Sequence, residues 1–153
     1  MMGRLHHVVL DTADPVGLAH FYSQVLGLPI TFSSEDWVVV AANDKSSGLA
    51  FQYAPGHVPP TWPDSSSSQQ FHLDIMVEDI EEASTKVQAL GARELDAGDH
   101  VFIDPCGHPF CLIKTPGWAA SLSAGEGTIR VDARELRKRN RPQPTARPIA
   151  RRR

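Results

Sequence analysis

The sequence predicts an α+β fold built from two βαβββ modules, and three observations predict it. LHHVVLDTADP (5–15) and FHLDIMVEDIE (71–81) carry one pattern, in which His7 matches His72 and Asp14 matches Asp79, both 65 residues apart. Val25-Leu26-Gly27 then matches Ala89-Leu90-Gly91, 64 residues apart. Each of these helix-ending segments is followed by three short strand candidates. Four features in the same order, with a shift of one residue, indicate a duplication. Two copies at this period do not make a solenoid.

In the first copy, Leu5–Asp11 reads as a strand. Asp14 is an N-cap, and Pro15 stands at the first helical position, where its missing N–H costs nothing. Leu18, Tyr22, Val25 and Leu26 give that helix an apolar stripe, and Gly27 ends it ahead of Pro29. Ile30–Phe32, Trp37–Ala42 and Leu49–Tyr53 are the strands that follow, separated by turns at Ser33–Asp36 and Asn43–Gly48. In the second copy Phe71–Val77 is a strand, and Asp79 and Glu82 have the spacing of a capping box. Ile80, Ala83, Val87 and Leu90 line one helix face, and Gly91 stops the helix. Ala92–Leu95, His100–Asp104 and Phe110–Lys114 are strands, with Asp104-Pro105-Cys106-Gly107 as a tight turn.

The modules span about 4–54 and 71–115. Between them lies PGHVPPTWPDSSSSQQ, a linker over 55–70 whose Val58, Pro59, Pro60 and Trp62 are apolar enough to pack along the body. Together these form one domain over residues 1–120. Thr128–Asp132 reads as one more strand and Ala133–Arg139 as a short helix, in a basic extension (121–153) whose end lacks apolar periodicity and is expected to be partly disordered.

At 153 residues, a hydrophobic share of 41% is enough to fold without a metal or disulfide. No run is long and apolar enough for a transmembrane helix. The N-terminus lacks the apolar core and cleavage site of a signal peptide, so the expected location is cytoplasmic. Cys106 and Cys111, in CGHPFC, lack CxxC spacing and are expected to stay reduced there. The net charge of −3 hides an asymmetry. Residues 130–153 hold ten basic and two acidic residues, and residues 1–129 hold five basic and sixteen acidic ones. The basic tail carries no aromatic for base stacking and matches no nucleic-acid fold, so a solvated extension is expected and nucleic-acid association is a distant alternative.

Strand parity sorts the chemistry. His7, Val9 and Asp11 share one face of the first strand, and His72, Asp74 and Met76 share one face of its repeat. The opposite Val/Leu/Ile faces suit helix cover, which leaves the His/Asp/Met faces looking into a shared concavity. A pseudo-twofold axis would bring His7 and His72 together. Two imidazoles can begin a metal site, but such sites need three or four ligands, and two hydrogen-bonded structural histidines are the plainer alternative. Asp74 is a candidate catalytic base or orienting carboxylate; its alternative is a hydrogen-bonded structural role. Trp37, Phe51, Tyr53, Trp62, Met76 and Phe110 are candidates to line a ligand pocket, although for any single aromatic core packing is the better expectation.

LHHVVLDTADP, FYSQVLGLP, QFHLDIMVEDIEEA, ALGARE and DPCGHPFCL resemble the vicinal oxygen chelate superfamily, which includes glyoxalases, bleomycin-resistance proteins and ring-cleaving dioxygenases. The resemblance covers about residues 4–115. It implies paired βαβββ modules whose mixed sheets form a cup. Metal-dependent members take one ligand from the first strand and one from the last strand of each module. Carried over, these positions match His7 and His72, and then Gln52 in LAFQY and Cys111 in HPFCL, where the glyoxalases usually have glutamate. Neutral Gln52 is a weak ligand and no base. Cys111 is a soft ligand that favours zinc over manganese, nickel or iron.

Two functions follow. One is a cup-shaped binder of a small apolar or aromatic molecule with a degenerate metal site and no metal. The other is a metal-dependent lyase, isomerase or dioxygenase using His7 and His72, with Cys111 or Gln52 completing the shell and Asp74 as base. The resemblance also implies a homodimer.

Overall fold

The computed structural model describes residues 2–64, 66, 68–96, 100–119 and 122, and divides the chain into two units, Met1–Thr115 and Pro116–Arg153. In the second unit Ala119 N–H donates to Pro116 O (2.8 Å) and Trp118 is exposed. The strand and helix expected within 128–139 lie outside the described residues.

The first unit runs β1 (His7–Thr12), α1 (Pro15–Leu26), β2 (Ile30–Ser33), β3 (Trp37–Ala41) and β4 (Gly48–Tyr53), then β5 (Leu73–Val77), α2 (Ile80–Ala89), β6 (Arg93–Glu94), β7 (Val101–Ile103) and β8 (Pro109–Lys114). Each βαβββ module makes its own four-stranded mixed sheet, in the orders β1-β4-β3-β2 and β5-β8-β7-β6. The first and last strands of each module pair in parallel, and the remaining pairs are antiparallel. The strand expected at Ala92–Leu95 shortens to two residues.

Both helices begin as their sequences dictate. Asp14 accepts from Gly17 N–H and Asp79 accepts from Glu82 N–H, each at 2.9 Å, satisfying otherwise orphaned helix donors. Gly27 ends α1 at φ 64°, a left-handed conformation that glycine takes without a Cβ clash.

One core joins the modules. Leu18 and Tyr22 of α1 lie in it with Leu10, Val38, Val40 and Phe51 of the first sheet. Tyr22 stacks on Phe51 at 5.6 Å, while Phe21 and Tyr22 also meet Phe110 of β8 edge-on at 6.0 and 6.5 Å. Helix α1 therefore packs against core residues of both sheets. Fully burying a side chain of this size contributes about 1.5–3 kcal/mol. Phe51 and Phe110, named above as pocket candidates, are each 0% exposed and belong to this core. Their parity places them on the helix-covered faces; the faces bearing the candidate ligands are turned away from the core.

A buried polar cluster fastens the β7–β8 turn to the first module. Asp104 accepts from Tyr22 Oη–H (3.0 Å), Cys106 N–H (2.8 Å) and His108 N–H (3.0 Å). His108 Nδ1 lies 3.0 Å from the same carboxylate, and its Nε2 lies 2.9 Å from Asp11 O. Both ring nitrogens lie within hydrogen-bond distance of an oxygen, which fixes the ring between Asp104 and the Asp11 carbonyl. The Thr12 hydroxyl donates to Cys106 Sγ (3.0 Å). Buried polar groups are tolerable when paired in this way, and these pairs set how the modules dock. The Tyr22 hydroxyl is raised well above its ordinary range by burial and by Asp104.

Candidate functional site

The parallel ladder of the second module sets Asp74 directly opposite Cys111. His72 precedes Asp74 by two residues, so by strand parity it shares that face. His72 Nε2 lies 3.4 Å from Asp74 Oδ1. A ring nitrogen of His72, a carboxylate oxygen of Asp74 and Sγ of Cys111 all lie within 4.8 Å of one another. His72 and Asp74 are exposed and Cys111 is half-buried. Burial, and then the Asp74 charge, raise the Cys111 thiol above its usual value, so it is a neutral thiol until a cation displaces its proton. Nitrogen, oxygen and sulfur donors in one cluster, open to water for a fourth position, suit a zinc-type ion. Trp62 from the linker stands edge-on to His72, with ring centroids 5.4 Å apart.

The first module does not repeat this arrangement. The His7 ring lies against that of His6, tilted by 35° with centroids 3.8 Å apart, and burial, then the neighbouring His6 charge, lower the His7 pKa. It lines a cavity of about 590 Å³ with Phe32, Trp37, Val39, Asp36 and Asp44. Among the described residues the donor cluster comprises His72, Asp74 and Cys111, and His7 is not a member of it. The reason is the shared core: it gathers the helix-covered faces of both sheets and leaves each ligand face to its own module.

Register also bears on Gln52. The strand-end bonds Ala54 N–H to Thr12 O and Thr115 N–H to Val77 O mark equivalent positions in the two modules. Counting back, Ala50 occupies the place of Cys111, and Gln52 the place of Ile113. Gln52 pairs with Asp11, four residues along the ladder from His7's partner Gly48. Sequence reasoning matched LAFQY by its residue types; only the ladder shows the offset.

The other pocket candidates separate. Trp37 lines the first-sheet cavity, and Tyr53 lies on the opposite parity, beside Ser34, Glu35 and Asp36. Trp62 lines a pocket over the second sheet. Met76 shares the Asp74 face and pairs with Ile113. Two residues went unremarked in the sequence: Phe32 and Arg93. Both stand on short edge strands, where parity is hard to read.

The family profile of the glyoxalase-like domain matches residues 7–113, and the chain belongs to that family. Its fold is that of the glyoxalase/bleomycin-resistance/dioxygenase group. A glyoxalase-related enzyme from Fulvimarina pelagi is 17% identical, with a TM-score of 0.57 over 79% of this chain and 94% of that one. A glyoxalase/bleomycin resistance protein/dioxygenase family enzyme from Burkholderia phytofirmans PsJN is 20% identical, with a TM-score of 0.53 over 73% and 98%. A possible glyoxalase from Bacillus cereus is 17% identical, with a TM-score of 0.53 over 74% and 99%. No curated protein matches. Among the described residues no helix is long and apolar enough to cross a membrane.

Proposed function

We propose that this protein binds a small apolar or aromatic molecule over its first sheet, without a metal there. The observation that carries this reading is the cavity of about 590 Å³ walled by Phe32, Trp37 and Val39, in a module whose last strand offers Ala50 where the other offers Cys111. That volume suits a drug-sized ligand, and aromatic walls suit a flat one. Val9 and Phe32, 40% and 55% exposed on this face, are apolar groups left to water in one chain. A second copy of the chain, supplying its own second sheet, is the cover this reading proposes.

The test follows the nitrogen-15 indole resonance of Trp37 during titration with 1-naphthol. Movement of that resonance, abolished in Phe32→Ala, is the expected result. A resonance that stays still throughout the titration overturns the reading.

A second reading rests on the His72–Asp74–Cys111 cluster. A divalent transition ion, zinc foremost, would be held there and would act as a Lewis acid toward a substrate oxygen. Asp74, beside the imidazole, would orient His72 or hold a proton at its carboxylate. Zinc titration of the reduced protein decides it: binding lost in Cys111→Ala supports the site, and no uptake removes it.

A further inference from the structure

We propose that the pocket between the linker and the second sheet binds a small carboxylate with an aromatic or apolar body, gripped by Arg93 and Trp62. The pocket holds about 350 Å³, and its walls include Pro59, Pro60, Trp62, Leu95 and Ile103, with Arg93 at the edge strand. Arg93 pairs with Ile103, which pairs with Pro109, so by parity its side chain shares the His72–Cys111 face. Among the described residues the ion pairs join His72 to Asp74, Lys86 to Glu82 and His108 to Asp104, and none involves Arg93. The pocket thus presents a guanidinium that has no ion-pair partner among the described residues.

The second anchor is the Trp62 indole. Its Nε1 is buried and has no hydrogen-bond acceptor. A buried donor left unpaired is costly, and a small rotation of the indole toward the pocket would let an incoming carboxylate oxygen satisfy it. The planar guanidinium fork matches a carboxylate with two parallel bonds, which a spherical anion cannot use as fully. The proline, leucine and isoleucine walls then ask for an apolar body behind that headgroup.

The linker wall is held in place. Gly107 has φ 96°, and a Cβ there would fall 2.5 Å from Pro59 Cγ, so only glycine lets the linker approach this closely. His57 stacks on His108 at 4.5 Å. Charge separates this pocket from the first-sheet cavity, which is lined by Asp36 and Asp44 and by no lysine or arginine. An anionic ligand is therefore directed to the second sheet. The site stands independently of the first-sheet reading, because Trp62 and Trp37 report on the two pockets separately.

The experiment is a benzoate titration of the full chain, followed by the nitrogen-15 indole resonances and assigned with Trp37→Phe and Trp62→Phe. The Trp62 resonance moves and the Trp37 resonance does not. Arg93→Gln weakens benzoate binding about tenfold or more, and uncharged benzamide binds the natural protein correspondingly weakly. Arg93 sits exposed at the sheet edge, and an unmoved Trp37 resonance confirms that the variant is folded. The proposal is overturned if benzoate leaves Trp62 still, if it moves Trp37 alone, if Arg93→Gln binds as well as the natural chain, or if inorganic phosphate binds as tightly as benzoate.

Discussion

The two modules keep the same kind of residue on one sheet face, whereas on the other they keep the His7/His72 and Val39/Val101 pairs and exchange kinds at their neighbours. On the helix-covered face Leu10 stands where the second module has Ile75, Val40 where it has Phe102, and Phe51 where it has Leu112. All six are buried. On the opposite face Val9 faces Asp74 in the comparison, Asp11 faces Met76, Ala50 faces Cys111 and Gln52 faces Ile113. A packed core punishes a change of volume or polarity at every position, whereas a face open to ligand does not. The duplication has therefore kept one interior and made two different exteriors. One is an aromatic cavity with carboxylates at its rim; the other is a mixed-donor cluster with an arginine nearby.

The sharpest way to break this comparison is to truncate equivalent core positions. Phe51→Ala is expected to cost about 3–5 kcal/mol and Leu112→Ala about 2–5 kcal/mol, both read from urea unfolding midpoints. Val9→Ala and Gln52→Ala on the open face should stay within about 0.5 kcal/mol. If the open-face pair costs as much as the core pair, the two faces are not what the comparison says.

The equivalent turns differ nearly as much. Asp104→Ala leaves Tyr22, Cys106 and His108 donors without their acceptor, for a loss of about 3 kcal/mol. In the first module the Asn43 side chain accepts only from Lys45 N–H at an exposed turn (2.9 Å), and Asn43→Ala should stay within about 0.5 kcal/mol. Denaturation of the two variants side by side checks this.

Zinc affinity sharpens the contrast between the open faces. His72→Ala or Cys111→Ala should weaken zinc uptake at least about tenfold, while His7→Ala leaves it unchanged, as calorimetry of the reduced protein would show. A loss on His7→Ala instead would mean that the modules share one site across two chains.

The smallest expected effect is on pH. Burial, then the neighbouring His108 charge, lower the His57 pKa from 6.5 in the folded chain. The unfolded state then binds more protons, so the contribution is fully present above 6.5 and is lost as pH falls through the folded value. His7, lowered by burial and His6, acts in the same direction. Unfolding midpoints between neutral and mildly acid pH should decline less steeply in His57→Gln than in the natural protein. Equal slopes would mean that the stack does not bias His57.

Much of the fold was legible because its signals are local. Asp14, Pro15 and Gly27 mark the first helix by capping chemistry, and Asp79 and Gly91 mark the second. The strand alternation of HVVLDT and LDIMV places each side chain on its face. Asp74 is placed on its strand face for the same reason, whereas Cys111 was reached through the family resemblance and the ladder sets it opposite Asp74.

Partner choice was not legible. Phe51 and Phe110 were pocket candidates for which core packing was the better expectation, and their packing with Phe21 and Tyr22 of α1 decides for the core. His7 and His72 share a motif, yet the single core holds their faces apart. Gln52 and Ala50 differ by two positions in a ladder, which keeps parity and changes the partner, so no pattern of period two distinguishes them. The buried network of Asp104, His108, Tyr22 and the Asp11 carbonyl joins residues up to 97 apart along the chain. Local propensity and alternation by themselves determined the elements and their faces, because both depend on near neighbours. Which faces meet, and so which side chains share a site, only tertiary packing decided, because it depends on how distant apolar surfaces and buried hydrogen bonds are satisfied together.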